Sequence, residues 1–232
     1  MYKRQYRLFR LVPTGLDALN KVLRAYVTDR GKIINETTLC ESKNTQTPSA
    51  ETAMSWVNQV LDTKSRLDGV LATSFQGDKS CEAAINEAMD TFINLNTRAP
   101  EFISLYIDEH LRKGTRFADD TTALEPVLDK TITIFRYVHE KDVFERYYKM
   151  HLTRRLLHNR SASDDAERSM IAKLKVECGH GYVQKLQGML NDMKLSEEVL
   201  RAFHHTLERE GTSLPLQLNV NVLTATYWPI AS

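Results

Sequence analysis

The chain is poor in residues that break helices or staple folds. Its 232 residues include only 6 prolines, 9 glycines and 3 cysteines. So few breakers, set against long patterns of 3.6-residue period, exclude a loop-rich or all-β architecture for most of the length and indicate an all-helical class. Cys40, Cys81 and Cys178 are odd in number and far apart, which argues against a secreted disulfide framework and favours a reducing compartment. No apolar run is long enough to span a bilayer, and Met1 to Arg10 lacks the apolar core of a signal peptide. The sequons at Asn35 and Asn159 therefore carry no weight. Neither sign of charge prevails: Lys+Arg total 31 against 30 Asp+Glu, for a formal charge of +1, which argues against a dedicated nucleic-acid or membrane-surface protein. Any electrostatic function must be local.

What is present is apolar periodicity, with 42% hydrophobic residues to build a core. It is densest from Glu140 to Leu157. Phe144, Tyr148, Leu152 and Leu156 recur every fourth residue, and Val143, Met150 and Leu157 every seventh, which makes two apolar stripes on one helix. Such a helix belongs inside a bundle. Arg146, Lys149, Arg154 and Arg155 are threaded between the stripes, and the basic stretch from Arg146 to Arg160 has no acidic side chain. It either presents a positive groove to an acidic partner or solvates a bundle by pairing with neighbouring carboxylates. Arg155 lies within the first stripe, so it must find a carboxylate or run its stem to the surface.

Elsewhere, Leu8, Leu11, Leu16, Leu19, Leu23 and Val27 are helically spaced across a turn at Pro13 and Gly15. From Asn35 to Ala50 the sequence is polar and reads as an exposed mobile loop. A helix resumes near Thr52. Another runs from Pro100 to a glycine stop at Gly114, and Thr122 with Glu125 makes a capping-box pattern ahead of the next. Ser161 and Ser163, followed by Asp164, Asp165 and Glu167, open a further helix with Met170, Ile171, Leu174 and Cys178 inward. A last helix is expected to begin at Ser196 and end at Gly211. These four helix patterns after Gly114 predict a bundle.

Near the end the period changes to two. Leu216, Leu218, Val220 and Val222 alternate with polar residues, which predicts a strand with one buried face. A lone strand is unstable, so the chain reads as a piece of a longer protein that supplies the rest of the sheet.

Motifs for chemistry do not hold up. His139-Glu140 lacks the second histidine of a zinc-protease helix, because Val143 stands there. Gly179-His-Gly181 has Gln184 in place of a third glycine and reads as a helix-ending turn. Cys178 with His180 has no further ligand nearby in sequence and reads as a buried thiol beside a turn, while His204-His205 near Glu208 faces two directions on a helix. Tyr147-Tyr148 is better placed for packing than for stacking on bases. No cofactor or metal site is expected.

Several long motifs, in order, resemble the cullins, scaffold subunits of multisubunit RING ubiquitin ligases. They are Phe92-Ile-Asn-Leu-Asn-Thr-Arg-Ala-Pro-Glu-Phe102, Ile107-Asp-Glu-His-Leu-Arg-Lys-Gly114, Glu140 to Leu157, Ser161-Ala-Ser-Asp-Asp-Ala166, Lys173-Leu-Lys-Val-Glu-Cys-Gly179 and Val222-Leu-Thr-Ala-Thr-Tyr-Trp-Pro229. Tyr147-Tyr-Lys-Met-His-Leu-Thr-Arg-Arg155 is most similar to the subfamily that pairs with BTB-domain adaptors. The resemblance implies a mainly all-α chain: the end of the cullin-type helical repeats over 1–117, a helical bundle over 118–212, and over 213–232 the first strand of a truncated α/β domain. It implies a non-catalytic scaffold of the cytoplasm and nucleus. Lys149, Arg154 and Arg155 would attract the acidic tail of a ubiquitin-conjugating enzyme, and Leu218, Val220, Val222 and Leu223 would pair with a strand of a RING-box protein. BTB adaptors would bind through a region this chain does not contain, as would the ubiquitin-like activator. The competing reading is a helical adaptor that binds an acidic peptide or nucleic acid through the basic helix.

Overall fold

A computed structural model describes residues 2–42, 49–114, 121–211, 216 and 218–229. Among these, nine helices follow in order: α1 (Tyr2–Leu11), α2 (Gly15–Ser42), α3 (Ala50–Ser74), α4 (Lys79–Leu95), α5 (Ala99–Leu111), α6 (Thr121–Phe135), α7 (Lys141–Leu157), α8 (Asp164–Cys178) and α9 (His180–Arg209). The mainly helical class is as the composition predicts. The chain divides into two compact units, one of Met1–Glu109 with Val127–Tyr147, the other of His110–Pro126 with Tyr148–Ser232.

In the first unit α2 and α4 pack so closely that a Cβ on Gly31 would collide with the Phe92 ring. Here α2 does not end at Asn35, where the polar composition predicts a loop; it continues to Ser42. The reason is tertiary. Asn35 is buried, donating from Nδ2 to the Phe92 carbonyl at 2.9 Å and accepting from Trp56 Nε1 at 2.8 Å, so its polarity is spent inside the core. Trp56 in turn meets Phe102 edge-on, with centroids 5.7 Å apart. The remainder of that expected loop, residues 43–48, lies outside the described residues.

The α3–α4 turn is the second organising point. Asp78 caps α4 by accepting from the backbone N–H groups of Ser80 and Cys81 and from the Ser80 hydroxyl. Its other oxygen accepts from the Tyr6 hydroxyl at 2.8 Å, and Asn20 donates to the Ser80 hydroxyl at 3.1 Å. Both α1 and α2 are therefore tied to the start of α4.

In the second unit α8 starts where the sequence predicts, with Ser163 accepting from the Asp165 N–H, and ends at Gly179, whose φ of +85° favours glycine. The inward face is Met170, Ile171 and Leu174, all buried, with Cys178 half-buried. No helix begins at Ser196. Instead α9 runs unbroken from His180 to Arg209, because Ser196 bonds to the chain beyond α9 rather than capping a new start. The capping box expected at Thr122 rests on a side chain outside those described.

The C-terminal segment forms no strand among the described residues, where the sole β-type pairing is an isolated bridge between Arg112 and Ser161. With no neighbouring strand to complete a ladder, Val222 and Thr224 direct their N–H groups to side chains of α9.

The Asp78 cap is acid-sensitive. Hydrogen bonds from Ser80, the Tyr6 hydroxyl and the Cys81 N–H outweigh partial burial and hold its carboxyl at about 2, below the ordinary 3.8. Its contribution is complete above the unfolded value and disappears as pH falls through the folded one. Thermal midpoints of Asp78→Ala and the parent chain should therefore differ at neutral pH and converge near pH 2; an undiminished gap in acid would rule out the carboxylate as the source.

Candidate functional site

The basic helix α7 carries the first candidate surface. Phe144, Tyr148, Leu152 and Leu156 are buried as one stripe, as their spacing predicts. The second stripe is not covered to the same degree: Val143 and Leu157 are half-buried and Met150 is 39% exposed. The helix is thus amphipathic in depth rather than buried all round.

Within the second unit, Arg155 is 1% exposed and Glu167 of α8 is fully buried. The pair is bidentate, with Arg155 Nε donating to Glu167 Oε1 at 2.7 Å and an Nη to Oε2 at 2.9 Å. Ser161 adds a third donor to Oε1 at 2.7 Å, and the guanidinium lies 5.8 Å from the Tyr148 ring centroid. Of the two routes open to Arg155, pairing with a carboxylate is the one taken. This corrects the expectation that it faces a partner: a guanidinium 1% exposed and engaged by both carboxylate oxygens is not presented at the surface to an incoming acidic tail.

The connection from α7 to α8 is fastened by backbone bonds around this pair. Arg160 N–H donates to the Arg155 carbonyl, Lys113 N–H to the Arg160 carbonyl and Ala162 N–H to the Leu111 carbonyl, at 2.7, 2.7 and 2.8 Å. Lys149 is half-buried and Arg154 exposed. At about 100° per residue these two stand about 140° apart around α7, so the helix does not gather them on one face.

The second candidate surface is the segment after α9. Gly188, Asp192 and Ser196 stand four residues apart on one face of α9 and form a clamp. Ser196 Oγ accepts from Val222 N–H at 2.8 Å and donates to the Val222 carbonyl at 3.2 Å. Asp192 accepts from Thr224 N–H, Thr224 Oγ1 and Trp228 Nε1 at 2.7, 3.0 and 2.8 Å. A side chain on Gly188 would collide with the Tyr227 ring, so only glycine lets that ring approach. Trp228 is buried.

Ahead of this clamp the apolar side chains stay in solvent. Leu218, Val220 and Val222 are 44%, 48% and 53% exposed, and Leu223 is half-buried. The alternation is real but has no covered face. Sequence reasoning missed the clamp; the spacing of Gly188, Asp192 and Ser196, with Thr224 and Trp228 to receive them, was the available signal.

Among the described residues no three His, Cys, Asp or Glu side chains are grouped to hold a metal ion. His139 pairs with Asp90 at 2.9 Å, and burial foremost pushes the Cys81 thiol up to about 11, far from a thiolate at neutral pH. No described helix is long and apolar enough to cross a membrane.

The model of the cullin alpha solenoid domain matches residues 2–200. The chain belongs to the cullin family. Cullin-3 of Schizosaccharomyces pombe is 44% identical over 230 residues, 97% of this chain and 29% of that protein. Cullin-3A of Arabidopsis thaliana is 42% identical over 228 residues, 97% of this chain and 29% of its own length. Human Cullin-4A is 38% identical over 225 residues, again 97% of this chain and 28% of that cullin. Of these three, the two that carry the Cullin-3 name have the higher identities. The chain spans less than a third of the length of each cullin relative.

Two outcomes follow for this cullin segment. Replacing Arg155 by Met strands a buried carboxylate and should cost about 3–5 kcal/mol, whereas Arg155→Met with Glu167→Leu should recover most of it; urea titrations of the three chains decide, and a double variant no better than the single one refutes the pairing account. Asp192→Ala leaves the Trp228 indole and the Thr224 N–H without their acceptor. Amide exchange should then quicken at Val222 and Thr224 but not in α8, and uniform quickening would show that the clamp is not local.

Proposed function

We propose that this chain is the middle of a cullin scaffold in an E3 ubiquitin ligase, which holds a RING-box protein and a ubiquitin-conjugating enzyme at a set distance from substrate bound to a BTB adaptor. The observation that carries the reading is the match to the cullin solenoid over residues 2–200, joined to Cullin-3 relatives that align with nearly the whole chain. The mechanism is positional and non-catalytic. A stiff helical spacer raises the effective concentration of an acceptor lysine near the charged conjugating enzyme without touching the reacting atoms.

Stiffness has a source in the residues. The buried pair Arg155–Glu167 and the Asn35–Trp56 bond have directional partners on separate helices, so bending a helix out of place costs hydrogen bonds as well as contacts. The run from Leu218 to Leu223 is proposed as the first strand of a sheet completed by the longer protein and by a strand of the RING-box protein. Its exposed apolar row supplies the side chains such a sheet would cover. Arg154, with Lys149 on another face, is proposed to draw the acidic tail by long-range attraction rather than by a fitted pocket. The cytoplasm and nucleus are the proposed compartments.

A pull-down with a RING-box protein tests this. A chain extended to the length of the cullin relatives should retain it, and Leu218→Asp with Val220→Asp should abolish retention. Arg154→Glu should leave RING binding intact while weakening capture of the conjugating enzyme, more so at low salt. No retention by the extended chain, together with salt-dependent RNA binding lost in Arg154→Glu, would replace the scaffold by a helical adaptor.

A further inference from the structure

One hydroxyl stands where added charge would reach the buried ion pair of Arg155 and Glu167. Ser161 Oγ donates to Glu167 Oε1 at 2.7 Å, and the same oxygen accepts from Arg155 Nε at 2.7 Å. Ser161 is half-buried, outside any helix, in the connection between α7 and α8. It also lines a cavity of about 180 Å³ with Lys113, Lys194 and Arg155, alongside Asp164 and Glu197. Cations and a hydroxyl thus share one small space.

The residues that follow Ser161 are acidic and accessible. Asp164 and Asp165 stand three and four positions on, both exposed, and no basic residue intervenes before Glu167. A protein kinase with a basic peptide cleft reads carboxylates placed in this way on the C-terminal side of its acceptor. Ser163 is the neighbouring alternative, but its oxygen caps α8 by accepting from Asp165 N–H, so modifying it requires the first helical turn to open. Ser161 leaves α8 helical: its Oγ must part from Glu167, and the connection must release its bonds between Lys113 and Arg160 and between Ala162 and Leu111.

We infer that Ser161 is a phosphoacceptor for an acid-directed protein kinase, and that its phosphate loosens the joint between α7 and α8. In the transfer, Ser161 Oγ bonds to the γ-phosphorus of ATP as the bond from that phosphorus to the β,γ-bridging oxygen breaks. ADP leaves, and the hydroxyl proton passes to the kinase base. Phosphorylated Ser161 has no hydrogen left to donate to Glu167, and its dianion stands beside that carboxylate. Repulsion turns the phosphate into the cavity, where Lys113 and Lys194 receive it and Arg155 is shared between two anions. The carboxylate that held α8 to α7 loses one of its three donors and part of a second. This inference does not depend on the scaffold reading, because it rests only on the second unit.

The chain is incubated with ATP and an acid-directed Ser/Thr kinase, then mapped by mass spectrometry and melted. Expected is one phosphate at Ser161, absent in Ser161→Ala and retained in Ser161→Thr and Ser163→Ala. Asp164→Asn with Asp165→Asn should slow incorporation about tenfold or more, as loss of two charge-assisted contacts predicts. The phosphorylated chain should melt about 2–4 °C below the unmodified one. No incorporation, incorporation that survives in Ser161→Ala, insensitivity to the two aspartates, or an unchanged midpoint would each overturn the proposal.

Discussion

The arrangement of α7 and α8 depends on the buried ion pair of Arg155 with Glu167. Arg155 and Glu167 have almost no solvent contact, and each charge is costly to enclose unless the other is there with good geometry. The geometry is good because the guanidinium fork meets both carboxylate oxygens and Ser161 supplies a further donor. The consequence is that α7, the α7–α8 connection and α8 are committed to one arrangement, since sliding either helix by a residue would separate the charges. Tyr148, Leu152, Met170 and Leu174 are buried in the same unit, and burial of apolar area is the larger stabilising term. The ion pair adds direction to that non-directional term.

The first unit uses polarity in the same way with neutral groups. Asn35 bridges Trp56 and the Phe92 carbonyl, while Asp78 gathers Tyr6, Ser80 and the first turn of α4. Each is a polar group on one helix satisfied by another, so the apolar faces of α2, α3 and α4 have one favourable register. The clamp of Asp192 and Ser196 on the C-terminal segment repeats the principle at the end of the helical region. A protein whose proposed role is to hold partners at a distance is served by such joints, because dispersion between apolar faces resists sliding weakly and directional bonds resist it well.

Much of the helical layout was legible from residue spacing. The stripe of Phe144, Tyr148, Leu152 and Leu156, the Ser163 cap, the turns at Pro13 and Gly179 and the demand of Arg155 for a carboxylate all depend on neighbours within a few positions. The misreadings share a cause. Asn35, Thr38 and Ser196 look like loop or cap residues by local preference, yet each is buried and bonded inside or at the end of a longer helix arrangement. Of the candidate binding residues, Arg155 was placed in the wrong role because the carboxylate that encloses it lies on the following helix, twelve positions away.

The sequence by itself determined the helical class, the family to which the chain belongs and the need for a partner at Arg155, because periodicity and ordered motifs survive without knowledge of contacts. Only the tertiary structure decided that Glu167 is that partner, that α2 and α9 run through their polar stretches, and that Val222 and Thr224 are held by side chains of α9. These choices turn on which polar groups meet across helices. A buried donor accepts any acceptor the fold brings to it, and no local pattern names that acceptor in advance.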